Sequence, residues 1–164
     1  MNKGTFWLVW GVGFIPMALA MVMYFGQVGI PLAKTNHGDL LSPGEELKDW
    51  EIEDAAGEQW VYSGDWQLLL TYDTCDAACD SWKEVLPNLH LALGKERDRV
   101  QWHMVSGVPA ADNQMLVSEH IGAIGDGIWV ADPLGNLVMR YPLEQPPRGL
   151  LKDLKRLLKL SKIG

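Results

Sequence analysis

The first thing this chain lacks is charge near its start. No charged side chain lies between Lys3 and Lys34, which leaves an uncharged stretch of 30 residues. It holds Phe6, Trp7, Leu8, Val9 and Trp10, and then the apolar run from Met17 to Phe25. A bilayer core about 30 Å thick is crossed by roughly 20 apolar residues in a helix. Residues 5–30 are therefore expected to attach the chain to a membrane, which argues against a freely soluble cytoplasmic enzyme. The apolar core of a signal peptide is shorter, about 7–15 residues. Here the run continues past Ala18-Leu19-Ala20 to Ile30, so an uncleaved anchor is expected. Trp7 and Trp10 at one end, with Tyr24 and Phe25 near the other, suit interfacial aromatic belts. Pro16 is tolerated in such a helix as a kink.

Cysteine is also scarce. Two in 164 residues exclude a disulfide-stapled miniature fold. Absent too are a phosphate-binding glycine loop, a recognisable pair of catalytic carboxylates and a nucleophile–His–Asp set. The net charge of −7 and the missing reading motif give no support for nucleic acid as a partner. Basic residues flanking the apolar stretch favour the amino terminus inside by about one charge. The bulk of the chain is then expected outside: in a bacterium, a single-pass inner-membrane protein with a periplasmic C-terminal domain.

Three segments follow from these patterns: residues 1–34 as anchor, 35–44 as linker and 45–164 as one domain. Thr35-Asn36-His37-Gly38 and Ser42-Pro43-Gly44 are the breakers that mark the linker. Trp50 to Asp54 alternates like a strand, Ala55-Ala56-Gly57 can turn it, and Gln59 to Tyr62 can return it as a hairpin. Trp66 to Tyr72 is a short apolar run, as expected of a strand buried on both faces. Thr74 can cap a helix starting near Cys75. That helix carries Cys79, Trp82, Val85, Leu86, Leu89 and Leu93 at core spacing, with a kink or interruption expected at Pro87. Val100 to Val105 reads as a strand and Asp112 to Ile121 as a helix. Residues 127–132 and 136–141 flank Pro133-Leu134-Gly135 as a second hairpin, and Pro146-Pro147 opens a last helix with Leu150, Leu154, Leu157 and Leu158 inward. The order implies an α/β fold: a mixed sheet with flanking helices and an N-terminal hairpin, thioredoxin-like in plan, preceded by one transmembrane helix.

Both cysteines belong to one motif, Cys75-Asp76-Ala77-Ala78-Cys79, at a strand-to-helix junction. The C-x3-C spacing places the sulfurs about one helical turn apart. They can close a disulfide or together hold a soft metal such as Cu(I). Asp73, Asp76 and Asp80 flank them and oppose thiolate formation, while favouring an arriving cation.

With these pieces the chain resembles the Sco/SenC family, membrane-tethered thioredoxin-like proteins of cytochrome c oxidase assembly. It resembles more closely a small proteobacterial relative found among oxidase-assembly proteins. The likeness rests on the anchor, the hairpin around Gly57, Trp66 to Tyr72 leading into Cys75 and Cys79, and Ile128 to Gly135. It implies copper handling or cysteine redox chemistry by Cys75 and Cys79, with oxidase subunits or other assembly factors as partners. It implies a metallochaperone or assembly factor more than a turnover enzyme. A thioredoxin-fold scaffold without metal or turnover is the alternative. The family's copper ligands are the two cysteines of a C-P-x-x-C-type motif and a distal histidine eight residues before an Asp-Pro turn. Asp76 stands where that motif has proline, and counting back from Asp132 reaches Ile124; His120, four residues earlier, is the candidate third ligand for Cu(I). General thiol–disulfide exchangers of this fold carry C-x-x-C and a facing cis-proline. Here Asp126-Gly127 holds that position, which argues against broad specificity and leaves exchange with a dedicated partner.

Charge is polarised along the chain. Residues 39–84 hold 13 acidic and two basic side chains, and residues 148–164 six basic and one acidic. The acidic block suits a cation or a basic partner. Lys152, Lys155, Arg156 and Lys159 fall as a stripe opposite the leucines, read first as a solvent face and second as a surface for anionic headgroups.

Overall fold

A computed structural model describes residues 2–26, 36–108 and 115–163. They form two compact units, divided after Thr35. The first is helix α1, Lys3–Gly26, with Pro16 inside it and no buried side chain. At about 1.5 Å per residue its 24 residues, of mean hydropathy 2.0 over its most apolar window, are long and apolar enough to cross a membrane.

The second unit is built on a six-stranded sheet. Its strands are β1 (Asp39–Leu40), β2 (Trp66–Tyr72), β3 (Val100–Ser106), β4 (Met115–Val117), β5 (Gly127–Ala131) and β6 (Leu137–Tyr141), in the order β1-β6-β5-β2-β3-β4. β2 is central. It runs parallel to β3 and antiparallel to β5, and all seven of its residues are buried. That two-sided burial is why its sequence is a continuous apolar run rather than an alternation. The helices are α2 (Ala77–Ala92), α3 (Ile121–Ile124) and α4 (Pro147–Leu160). Leu68 and Leu70 face one core with Trp82, Leu86, Leu150 and Leu154 of α2 and α4. Leu69 faces the other, with Trp50, Ile52, Val105 and Trp129, so the segment before β2 covers the second face.

Several local expectations give way to long-range pairing. Residues 36–44, marked as a linker by their breakers, contain β1, which pairs Asp39 with Arg140 and Leu40 with Met139. The N-terminal hairpin is present but slight: Glu53 bridges Gln59, while Trp50, expected to open its first strand, instead ends the 3-10 turn Leu47–Trp50. Glu53 also bridges Val117, so the same segment covers the β4 edge. The helix expected from Asp112 to Ile121 is not one: Met115–Val117 pairs in parallel with Met104–Ser106, and residues 112–114 lie outside the described residues. A β-edge offering unpaired backbone groups outweighs a weak helical pattern over so few residues. Helix α2 runs through Pro87 without interruption. Near its end His90 sets Nε2 2.9 and 2.8 Å from the carbonyls of Arg97 and Val100.

Candidate functional site

The site sits where β2 ends and α2 begins. Cys75 and Cys79 are joined in a disulfide, with their Cα atoms 5.2 Å apart. Two of the three candidate ligands are thus brought together, as one of the two open readings of the motif required. The two sulfurs differ in access: Cys79 is 1% exposed and belongs to the core with Trp82, whereas Cys75 is only partly buried.

The helix cap is Asp76 and not Thr74. Its Oδ1 accepts from the backbone N–H of Ala78 at 3.0 Å and of Cys79 at 2.9 Å. An aspartate cap satisfies orphan amides that a helix start would otherwise leave open. The physical consequence falls on the cysteines. Amides at a helix N-terminus are what usually stabilise a neighbouring thiolate, and here a carboxylate already holds two of them. Asp80 adds to this, placing Oδ1 3.3 Å from Cys75 Sγ. In the disulfide neither sulfur carries a proton, so this is a carboxylate resting against sulfur. Lys83 lies 3.7 Å from the same carboxylate oxygen and 4.6 Å above the ring of Tyr72.

Across from the pair, the loop before β5 presents Asp126, whose Oδ1 accepts from the Asp73 N–H at 3.0 Å. Among the described residues no peptide bond is cis. Thr71 secures this loop from beneath: its hydroxyl donates to the Gly125 carbonyl at 2.7 Å and accepts from Trp129 Nε1 at 2.9 Å. Arg140 donates to the Asp126 carbonyl at 2.9 Å.

His120 is placed on the turn before α3, half exposed, with Nδ1 3.9 Å from a Glu51 carboxylate oxygen. Among the described residues no three His, Cys, Asp or Glu side chains are grouped to hold a metal ion. His103 packs edge-on against Trp60 at 5.1 Å, and burial pushes its imidazole below the ordinary pKa. The site residues that sequence reasoning undervalued are Asp76 and Asp126. The cap chemistry of aspartate was the available signal for Asp76; nothing local signalled the Asp126–Asp73 bond.

This architecture has known counterparts. The thioredoxin domain of a thiol-disulfide oxidoreductase from Bacteroides vulgatus superposes with a TM-score of 0.51 at 13% identity, covering 72% of this chain and 99% of that one. The fold is thioredoxin-like. A family model described as the C-terminal domain of transmembrane-like, thioredoxin-like proteins matches residues 111–161 of this thioredoxin-like chain. Sco proteins are among its structural neighbours. Bradyrhizobium japonicum ScoI with copper bound gives a TM-score of 0.47 at 17% identity, over 73% of this chain and 98% of that one. BsSco, a member of the Sco family of cytochrome c oxidase assembly proteins, gives 0.46 at 13%, over 67% and 91%. No curated protein sequence matches the chain.

Proposed function

We propose that this chain is a membrane-anchored, Sco-like factor of cytochrome c oxidase assembly whose thioredoxin-like domain works outside the cytoplasm by dithiol–disulfide exchange with a dedicated partner. The observation that carries the reading is the asymmetric pair: an accessible Cys75 joined to a buried Cys79 at the start of α2. A disulfide of this kind suits an oxidising compartment, and an extracytoplasmic domain behind α1 agrees with the flanking charges. Copper, which the Sco resemblance implies, fits this donor set poorly. The oxidised pair has no thiolate to offer, and once reduced it would lack a third donor, because among the described residues His120 stands beside Glu51 and no three-donor group forms.

The local field favours one direction of exchange. Asp76 occupies the amides, and Asp80 sits against Cys75, so the reduced thiolate form is poorly stabilised. A couple whose reduced form is poorly stabilised is a reductant. Cys75 thiolate attacks a partner disulfide, and the partner's second sulfur leaves as thiolate. Cys79, deprotonated, then attacks Cys75 Sγ and releases the partner's first sulfur. Two electrons pass to the partner, the Cys75–Cys79 bond forms, and a separate dithiol reductase must restore the pair.

The test is trapping in cells. Cys79→Ser should accumulate a mixed disulfide through Cys75 with an oxidase subunit or assembly factor, identified by mass spectrometry. Cys75→Ser should trap nothing, because Cys79 is buried. Normal oxidase activity in a stably produced double cysteine variant would leave only the scaffold reading.

A further inference from the structure

Helix α4 starts beside the cysteine end, where Trp82 Nε1 donates to the Leu143 carbonyl, and runs to the opposite end of the domain, where Trp66 meets Ile163, and its composition is one that thiol exchange does not use. Residues 148–163 carry six basic side chains and a single acidic one, Asp153. Asp153 is buried and hydrogen-bonded to Tyr141, His37 and Gly38, so it does not temper the surface charge. All six basic residues are exposed. Two apolar side chains stand uncovered among them: Leu160 is 72% exposed and Ile163 is 49% exposed. Beside them a groove of about 570 Å³ runs between α4 and the turn Gly94–Arg99, lined by Lys95, Arg99, Lys155 and Lys159. Glu96, the one carboxylate in that groove, is held by Arg99 at 2.8 Å and Lys95 at 3.6 Å.

We propose that this end, Lys155 to Ile163 with the adjoining groove, is a docking surface for anionic phospholipid. Basic side chains interspersed with one or two exposed aliphatic residues match the headgroup–acyl boundary, where charge meets anionic lipid and Leu or Ile enters the acyl layer. An acidic protein surface would satisfy the lysines but not the exposed Leu160 and Ile163. A chain that also carries an apolar helix of spanning length meets lipid at high effective concentration, so weak contacts suffice.

Docking would orient the site. Trp66, at the start of β2, donates from Nε1 to the Ile163 carbonyl at 3.4 Å. Tyr72 ends the same strand, three residues before Cys75. The strand spans about 20 Å, so a domain resting on its Ile163 end holds the Cys75–Cys79 pair on the far side, facing soluble domains of its partners.

The inference rests on the membrane-tether part of the proposed function and is independent of its thiol chemistry. The experiment is amine acetylation of the full chain in nanodiscs of phosphatidylcholine alone and of phosphatidylcholine mixed with phosphatidylglycerol. Co-elution with both kinds of disc reports α1. Lys155, Lys159 and Lys162 should then be acetylated several-fold more slowly in the anionic discs only, with Lys48 unchanged and the protection lost in high salt. Leu160→Ser with Ile163→Ser, which removes only exposed side chains, should reduce that protection. Each of Lys155→Gln, Arg156→Gln and Lys159→Gln should weaken docking about fivefold, read as faster amide exchange in α4. Equal acetylation in the two lipids, with co-elution intact, overturns the proposal. Cys75→Ser with Cys79→Ser should leave the protection unaltered, so docking and thiol exchange fail separately.

Discussion

Asp80 Oδ1 rests 3.3 Å from Cys75 Sγ, and Lys83 Nζ lies 3.7 Å from the same oxygen. A carboxylate against sulfur disfavours charge on that sulfur once the disulfide is reduced, while the lysine offsets part of the effect. Asp80 is exposed, so solvent screening keeps the effect small. Asp80→Asn is expected to speed iodoacetamide alkylation of reduced Cys75 near neutral pH by about threefold. Lys83→Gln should slow it. An unchanged rate in both variants would remove Asp80 from the control of Cys75.

The cap and the motif can be separated by a second pair of substitutions. Asp76→Ala leaves the Ala78 and Cys79 amides without their acceptor and should cost about 1 kcal/mol of stability. It should also raise thiolate reactivity, since those amides become available to Cys75. Asp76→Ser restores a cap and should recover stability while keeping part of the gain in reactivity. Denaturant unfolding and alkylation rates measure the two effects independently.

Copper provides a third test. With no third donor grouped near the sulfurs among the described residues, Cu(I) bound to the reduced full chain should depend on Cys75 and Cys79 and be indifferent to His120→Ala. Competition against a chromogenic Cu(I) chelator measures this. A clear loss of affinity in His120→Ala would show that reduction brings His120 to the sulfurs, and would return copper to the centre of the function.

Asp153 ties the start of the domain to its last helix, and it predicts an acid limit. Burial alone would raise its carboxyl pKa, but hydrogen bonds from the Tyr141 hydroxyl and from the amides of His37 and Gly38 outweigh burial and hold it below the ordinary value. A carboxyl lowered on folding stabilises the fold above its unfolded pKa, and that contribution is lost as pH falls through the folded value. Stability should therefore decline below about pH 4, and Asp153→Asn should flatten the decline and cost about 1–3 kcal/mol at neutral pH. Tyr141 shifts upward, chiefly by burial and then by its bond to Asp153. Its contribution is present below its unfolded pKa and is lost only as pH rises above it. Urea midpoints across the pH range would show both limbs.

Gly149 marks the same tie sterically. A Cβ there would come 2.8 Å from His37 Cβ, so Gly149→Ala should push the His37 segment off α4. Backbone protection of β1 should fall in hydrogen exchange while β2 stays protected. Equal protection in both strands would show that the early segment is held by β6 alone.

Much of this molecule was legible without coordinates. The uncharged stretch as far as Gly26, beyond which residues 27–35 lie outside the described residues, the apolar run Trp66 to Tyr72, the turn around Gly135 and the leucines of the last helix are local patterns, and each maps to the element it implied. The cysteine spacing was legible too, though it left disulfide and metal both open. Other features needed partners far away in sequence. Asp39 and Leu40 look like linker because two residues cannot show a strand period; they become β1 only because β6 lies alongside, with Arg140 about a hundred residues on. Asp76 and Thr74 are both good caps, and the path of the chain from β2 into α2 chose Asp76.

What the sequence alone determined is therefore the inventory: a helix of membrane-spanning length and composition, a buried central strand, a cysteine pair at its end, an acidic block over residues 39–84 and a basic last segment. Those properties follow from composition and period, which burial and backbone geometry read locally. Only the tertiary structure decided that His37 meets Asp153 across 116 residues, that Asp126 faces Asp73, and that His120 stands beside Glu51. Such contacts depend on how the sheet orders its strands, and strand order is set by the summed packing of both cores, which no single stretch of sequence contains.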